Sequence, residues 1–296
     1  MRRTIGRRLA LLGGAATLCA AAVIEWLLRP QGAVYRLLAL TDFAMDKPRL
    51  FSPFHLICLI VCLGLALFAA LSEWGRRVDR DRLLFGAGLV LLLLEVYKQL
   101  FVHALYGNGR YDFSILPLQL CSYALYVYLA IPLLPRGRVK DTLTSFAALY
   151  LTMGGCLVMA WPRFPEQGAL ALHSMLWHTV MIVVGVVLLR SQGEKGYLAP
   201  MVRGGGVFLA VFGLAILLNR LLSPLAEGSA GALNLFYMHP DHPCSYLIIR
   251  DAWRMGGHGA ALACYALLYL TLGAHLPWGV GWLLSRRDRR KNVNKV

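Results

Sequence analysis

The run LLFGAGLVLLLLEVYKQLFVHA, residues 83–104, decides what kind of chain this is. Its first half, Leu83 to Leu94, carries no polar side chain, and the whole run, at about 1.5 Å per residue, is long enough to cross the roughly 30 Å apolar core of a bilayer. The second half holds Glu95, Lys98, Gln99 and His103. At 100° per residue these four fall within an arc of about 140°, so one face of the helix is polar. Charges and amides in hydrocarbon are costly unless they meet one another or line a shared interior. The run therefore reads as a membrane span whose polar face looks into the protein.

The rest of the chain agrees. Of its 296 residues 58% are hydrophobic and only 15% charged, which is too apolar for an ordinary water-soluble domain. Apolar stretches long enough to cross lie at 9–28, 53–71, 83–104, 114–134, 142–161, 170–190, 204–222 and 258–283. The expected fold class is all-α, a polytopic transmembrane bundle of about eight helices, because hydrocarbon leaves free backbone groups unpaired and no alternating barrel pattern is present. One membrane domain is expected over 1–296. It comprises a first helix within 1–30, a bundle over 45–285, an outer loop or re-entrant segment at 223–257 and a basic tail at 286–296.

Basic residues set the expected orientation, since loops rich in Lys and Arg stay on the cytoplasmic side. With the N-terminus inside, 20 of the 30 Lys and Arg residues fall in inner segments: Arg2 to Arg8, Arg76 to Arg82, Arg136 to Lys140, Arg190 to Arg203, and the tail from Arg286 to Lys295. Eight spans then return the C-terminus to the inside. The net charge of +15 is spread over all these loops. It reads as an orientation signal beside anionic lipid and not as a nucleic-acid surface, so the expected partners are membrane lipids and the expected location is a bacterial cell membrane, multi-pass. Arg2 to Arg8 followed by an apolar run to about Ala22 also has the look of a signal peptide, but the run continues to Leu28, which favours an uncleaved anchor.

Six of the seven cysteines lie in predicted spans, which argues against a disulfide framework. Cofactor fingerprints and metal-binding spacings are missing, and His239, Asp241 and His242 form only a weak metal candidate, so neither cofactor nor metal is expected. Once orientation is assigned, the buried polar residues gather in the outer half of the bilayer. Beside the group on residues 95–103, His55 sits at a helix start marked by Ser52 and Pro53. His173, Ser174 and His178 enter on the sixth span, and Asn219 with Arg220 ends the seventh. The fourth span begins Leu116-Pro117-Leu118-Gln119-Leu120-Cys121-Ser122-Tyr123. On an unbroken helix Gln119 and Cys121 point about 200° apart, so both reach one pocket only where the helix opens at Pro117 or is surrounded on both sides.

Taken together, several strings resemble the YwaF-like family of bacterial integral membrane proteins, over about residues 45–285. They are Phe51-Ser52-Pro53-Phe54-His55-Leu56, Glu95, Leu116-Pro117-Leu118-Gln119-Leu120-Cys121, the Pro162-Arg163-Phe164-Pro165 turn leading to His178, and Asn219 with Asn234-Leu235-Phe236-Tyr237-Met238. Arg250 to Gly257 departs from that family's aromatic pattern. The family is distantly similar to animal membrane proteins that move acyl chains between phospholipids through a nucleophilic cysteine, or hydrolyse lipid esters with a Thr and His pair. The resemblance implies Cys121 and His178 as the catalytic counterparts.

The function expected from these readings is a lipid acyl transferase or hydrolase with a polar pocket walled by the second, third, fourth, sixth and seventh spans. Cys121 is the expected nucleophile and His178 or His103 its base. Gln119 or Asn219 holds the oxyanion. His55, Glu95, Lys98, Gln99 and His173 complete the substrate-binding set. A small-molecule or lipid transporter using the intramembrane Glu, Lys and His residues is the alternative.

Overall fold

In the computed structural model, which describes residues 2–107, 110–194, 196–244 and 246–293, the chain is helical and no strand occurs among the described residues. Lys195 and Lys295, counted above among the inner basic residues, lie outside them. Seven helical runs are long and apolar enough to cross a membrane, and an eighth apolar run, Leu120–Leu133, is shorter. The chain order is α1 (Arg2–Leu28), α2 (Ala33–Thr41), α3 (Pro53–Leu71), α4 (Glu73–Arg77), α5 (Arg80–Leu105), α6 (Tyr123–Ala130), α7 (Arg138–Phe146), α8 (Thr152–Ala160), α9 (Gly168–Glu194), α10 (Leu198–Ala226), α11 (Leu247–Leu268) and α12 (Ala274–Val293). Five-residue π turns join α7 to α8 at Ala147–Leu151 and α11 to α12 at Tyr269–Gly273.

Local sequence explains the helix starts. Ser52 Oγ accepts from the His55 backbone N–H at 3.4 Å with Pro53 in the first turn, and Asp79 Oδ1 accepts from the Arg82 N–H at 3.0 Å to open α5. At Gly256 and Gly257 the backbone leaves helical geometry, with Gly257 at φ 69°, a left-handed value suited to glycine. Leu247 to Met255 is thereby a separately angled stretch, within the segment 223–257 expected as an outer loop or re-entrant element.

Helix α9 is the central post. Trp177, Met181, Val184, Leu188 and Leu189 are buried along it, against α3, α5, α8 and α12. Its contact with α12 depends on missing side chains: a Cβ placed on Gly281 would stand 2.3 Å from the Leu189 carbonyl oxygen, and one on Gly193 would stand 2.4 Å from the Gly281 oxygen. Small residues at such crossings let two backbones approach, the usual way membrane helices associate. By contrast α1 lies on the periphery against α2 and α5.

The five segments that charge bias assigns to the inside meet at one end of the bundle. Asp81 takes Lys140 at 2.7 Å and Arg8 at 3.8 Å, Asp288 takes Arg190 at 3.7 Å and Arg76 at 3.9 Å, and Arg203 reaches Asp141 at 3.8 Å. Arg8 also donates to the Pro132 carbonyl at 2.6 Å.

The glycine crossing gives a direct test. Gly281→Val forces α9 and α12 apart and is expected to destabilise the protein by at least about 1–3 kcal/mol, the usual cost of overpacking. Thermal unfolding in detergent should show a lowered midpoint for it and no loss for Gly279→Ala, whose added Cβ meets open space.

Candidate active site

Pro117 interrupts the fourth apolar stretch. A short 3-10 turn at Phe113–Ile115 is followed by a tight non-helical turn at Pro117 and Leu118, in which the Leu118 N–H donates to the Leu116 carbonyl at 2.7 Å, and by extended Gln119 (φ −68°, ψ 157°); helical structure resumes only at Leu120. The continuous helix expected over 114–134 is therefore corrected: proline has no N–H and crowds the preceding turn, so the chain opens. In hydrocarbon the freed backbone groups need partners. Gln99 Nε2 donates to the Ile115 carbonyl at 2.9 Å, the Tyr126 hydroxyl donates to the Pro117 carbonyl at 2.9 Å, and Trp177 Nε1 donates to the Cys121 carbonyl at 3.2 Å. Because the helix is open, Gln119 and Cys121 face the same space.

That space is a cavity of about 720 Å³, within the range of small-molecule sites. Its polar end is formed by Glu95, Lys98, Gln119, Cys121, His173 and His178, and its apolar walls come from α8, α11 and the π turn after α11. The expectation that the second and seventh spans wall the pocket is corrected, because the fifth (α8) and last (α11) do so instead. The polar residues of α3 and α10 are used elsewhere.

His55 is fully buried with both ring nitrogens engaged, Nδ1 accepting from the Phe51 N–H at 3.0 Å and Nε2 donating to the Met159 carbonyl at 2.9 Å. It ties α3 to α8 and does not line the cavity. Asn219 is likewise a two-point clamp on a loop: Oδ1 accepts from the Leu235 N–H at 2.8 Å and Nδ2 donates to the Leu235 carbonyl at 3.0 Å. His103 points toward α1, edge-on to Trp26 at 4.9 Å, outside the cavity lining. Gln99 stands behind the lining, donating to Glu95 Oε1 at 2.7 Å and accepting from the Tyr111 hydroxyl at 3.1 Å. For His55, Asn219 and Gln99 a nearer backbone group or neighbouring side chain satisfies the polar atoms before the cavity can; His103 is held by ring packing, its Nδ1 buried without a hydrogen-bond partner among the described residues.

Four of the sequence-derived residues remain beside Cys121 and Gln119. Lys98 pairs with Glu95 at 2.9 Å, one turn apart on α5. His173 Nε2 donates to the Leu94 carbonyl at 3.0 Å, so its proton is committed. His178 differs. Its Nδ1 lies 2.6 Å from the Ser174 carbonyl, which can only accept, so Nδ1 carries the proton and Nε2 a lone pair. Nε2 is buried and has no hydrogen-bond partner among the described residues, and the side chain lines the cavity. A buried acceptor left unmatched calls for an explanation, and His178 is the cavity-lining histidine with such a nitrogen, whereas His103, also with an unmatched nitrogen, stands outside the lining.

Gln119 closes the wall opposite. Its Oε1 accepts from the Phe236 N–H at 2.7 Å and its Nε2 donates to the Asn234 carbonyl at 2.9 Å. Phe236 and Tyr237 both have left-handed backbone, φ 55° and 58°, and both line the cavity. Two consecutive bulky residues in that region persist only where surrounding contacts over-determine them. Asn219, Gln119 and Asn234 supply those contacts, Asn234 accepting from the His239 N–H at 2.9 Å. Sequence reasoning missed Trp177, Tyr246 and the cavity role of Arg163. The Pro-Arg-Phe-Pro turn was the available signal for the last.

A second constellation, Ser223 with His239 and Asp241, has the composition of a hydrolytic triad but the wrong proton direction. The Asp241 backbone N–H donates to His239 Nδ1 at 3.1 Å, so the proton sits on Nε2, which donates to the Ser223 oxygen at 2.7 Å. The hydroxyl in turn donates to the Asn219 carbonyl. This is a loop fastening. Among the described residues no three His, Cys, Asp or Glu side chains gather as a metal set, and all seven cysteines are free.

Fold and cavity define a polytopic helical membrane protein with a largely apolar chamber that holds a small polar cluster. The TMEM164 family matches over residues 50–272, and the chain belongs to that membrane-protein family. No curated protein and no solved structure matches the chain.

Two expectations follow. Asn219→Ala leaves the Leu235 N–H unpaired, at about 1–3 kcal/mol for a buried group, while the Leu235 carbonyl keeps the Met238 N–H at 3.1 Å. Limited proteolysis should then cut within 228–245 faster than in the parent protein. Burial, then the neighbouring His242, holds His239 below the ordinary imidazole range. Neutral His239 thus favours the folded loop above a pH of about 6.5, and that contribution is lost as pH falls below this value toward the depressed folded pKa. Protection factors at residues 234–242, corrected for the intrinsic pH dependence of amide exchange, should fall between pH 7.5 and pH 5, with a smaller change in His239→Gln.

Proposed function

We propose that the protein is a lipid acyltransferase or acyl hydrolase in which Cys121 is the nucleophile and His178 its base. The observation that carries this reading is that His178, whose unprotonated Nε2 has no hydrogen-bond partner among the described residues, lines the same chamber as Cys121. Trp177, next to His178 in sequence, holds the Cys121 carbonyl, so one helix positions both partners. The YwaF-like resemblance supports the same pair of residues.

In this mechanism His178 Nε2 takes the thiol proton as Sγ attacks an ester carbonyl. The tetrahedral intermediate collapses with cleavage of the carbon–oxygen bond, and the departing alcohol receives the proton back from His178. A second alcohol, or water, then attacks the Cys121 thioester with His178 again accepting its proton, which regenerates the thiol. The oxyanion falls to the backbone N–H groups of Leu120 and Cys121 at the helix start after Gln119, the Ser122 N–H being taken by the Gln119 carbonyl at 2.9 Å. Gln119 positions that turn. Glu95 and Lys98 form the charged floor, and His173 holds the wall at Leu94. Asn219 drops out of the oxyanion role and His103 out of the base role.

A fluorescent acyl ester donor offered to the purified protein should leave a hydroxylamine-labile label on the wild type and none on Cys121→Ala. His178→Gln should slow labelling by about 10²–10⁴-fold, the usual contribution of a positioned base. Equal labelling of Cys121→Ala would overturn the mechanism. Uptake of a lipid into vesicles that survives this substitution would favour a transporter.

A further inference from the structure

The cavity is open on one side, and its mouth carries a charge. Leu157, Trp161, Leu247, Ile248 and Leu272 line it yet are 41–62% exposed. They come from α8 and its end, the start of α11, and the π turn. In a bilayer such apolar surface meets lipid tails, so the opening between α8 and α11 faces hydrocarbon and not water. Arg163 stands in the turn that leaves α8 at this mouth, exposed and part of the lining. Its guanidinium lies 4.5 Å from the centre of the Tyr237 ring and 4.6 Å from that of Tyr246, and these two rings meet edge to face at 5.6 Å.

This is a built position. The rings take the faces of a planar cation and fix its orientation, while its N–H donors radiate in the plane. Burial keeps both phenols above their ordinary range, so the tyrosines act as neutral faces and not as competing anions. Tyr237 directly follows Phe236, whose N–H Gln119 holds, and Leu235, which Asn219 holds, so the fastening that shapes the cavity wall also places the cation.

We infer that Arg163 is a specificity-determining residue: it binds the phosphate ester of a lipid that enters sideways between α8 and α11, with one acyl chain along the apolar wall. The inference deepens the acyl-transfer reading and rests on it for the lipid's place in the reaction. A fixed guanidinium suits phosphate because its donors match two oxygens at once. A neutral lipid with the same chains gains nothing from it. An apolar slot without the cation would take any acyl chain; the cation selects by headgroup and sets the depth at which the ester carbonyl reaches Cys121.

The test is labelling, which needs no turnover. Full-length protein carrying Cys121→Ala is reconstituted in vesicles containing phosphatidylcholine or diacylglycerol with the same diazirine-bearing acyl chain. The parent should label with the phospholipid about tenfold more than with the diacylglycerol, as one charge-assisted bidentate contact allows. Arg163→Gln should remove that preference while diacylglycerol labelling stays unchanged, and Arg163→Lys should restore part of it. Excess inorganic phosphate should not compete. Equal labelling of the parent by both lipids overturns the inference, as does an unchanged preference in Arg163→Gln. Parallel loss of both labels in that variant also overturns it, since Arg163 would then merely support the mouth. Displacement by inorganic phosphate alone would assign the cation to a free anion and overturn it too. An Arg163-dependent phospholipid label from a protein that forms no Cys121 thioester would leave the lipid site standing and refute the mechanism instead.

Discussion

Hydrocarbon offers no hydrogen-bond partner, and the opening of the chain at Pro117 survives only because other elements supply the missing ones. Gln99 from α5, Tyr126 from α6 and Trp177 from α9 each take a backbone carbonyl of the opened stretch or of the turn that follows it. Remove the opening and Cys121 swings away from the wall that Gln119 builds. The cavity is therefore a consequence of one proline and of the side chains that make its break tolerable.

The buried polar residues divide by whether their valence is used up. His55, Asn219 and Gln119 are bonded through both ends of the side chain, and each joins two parts of the chain that no apolar contact would hold in register. Glu95 and Lys98 neutralise each other, as ionised groups in a low-dielectric interior must. His178 alone among these has a committed proton on one ring nitrogen and an unmatched lone pair on the other. That asymmetry separates a group available for chemistry from groups that hold the frame. The same logic removes Ser223, His239 and Asp241, whose hydrogen bonds run the wrong way for a nucleophile and its base.

Strain is concentrated where the frame is tightest. Phe236 and Tyr237 adopt left-handed backbone where the Asn219 and Gln119 clamps on Asn234, Leu235 and Phe236 end, and from there they present one ring to the cavity interior and one to Arg163. The loop that carries Phe236 and Tyr237 thus couples the wall of the chamber to the charge at its mouth.

Much of this was legible in the chain itself. Length and hydropathy determined a helical membrane protein, because a bilayer admits few other solutions, and the polar face of residues 95–103 already marked α5 as facing a neighbour. Pro117 flagged where a helix could open. Composition and periodicity could not say which polar atoms would be satisfied, because that depends on backbone groups distant in sequence. His55 finds Met159, Asn219 finds Leu235 and His103 finds Trp26, so three residues expected at the site serve packing. Tertiary structure also chose the walls, bringing α8 and α11 to the chamber in place of α3 and α10. Helix periodicity fixes which residues share a face, but only the packing of helices decides what that face meets.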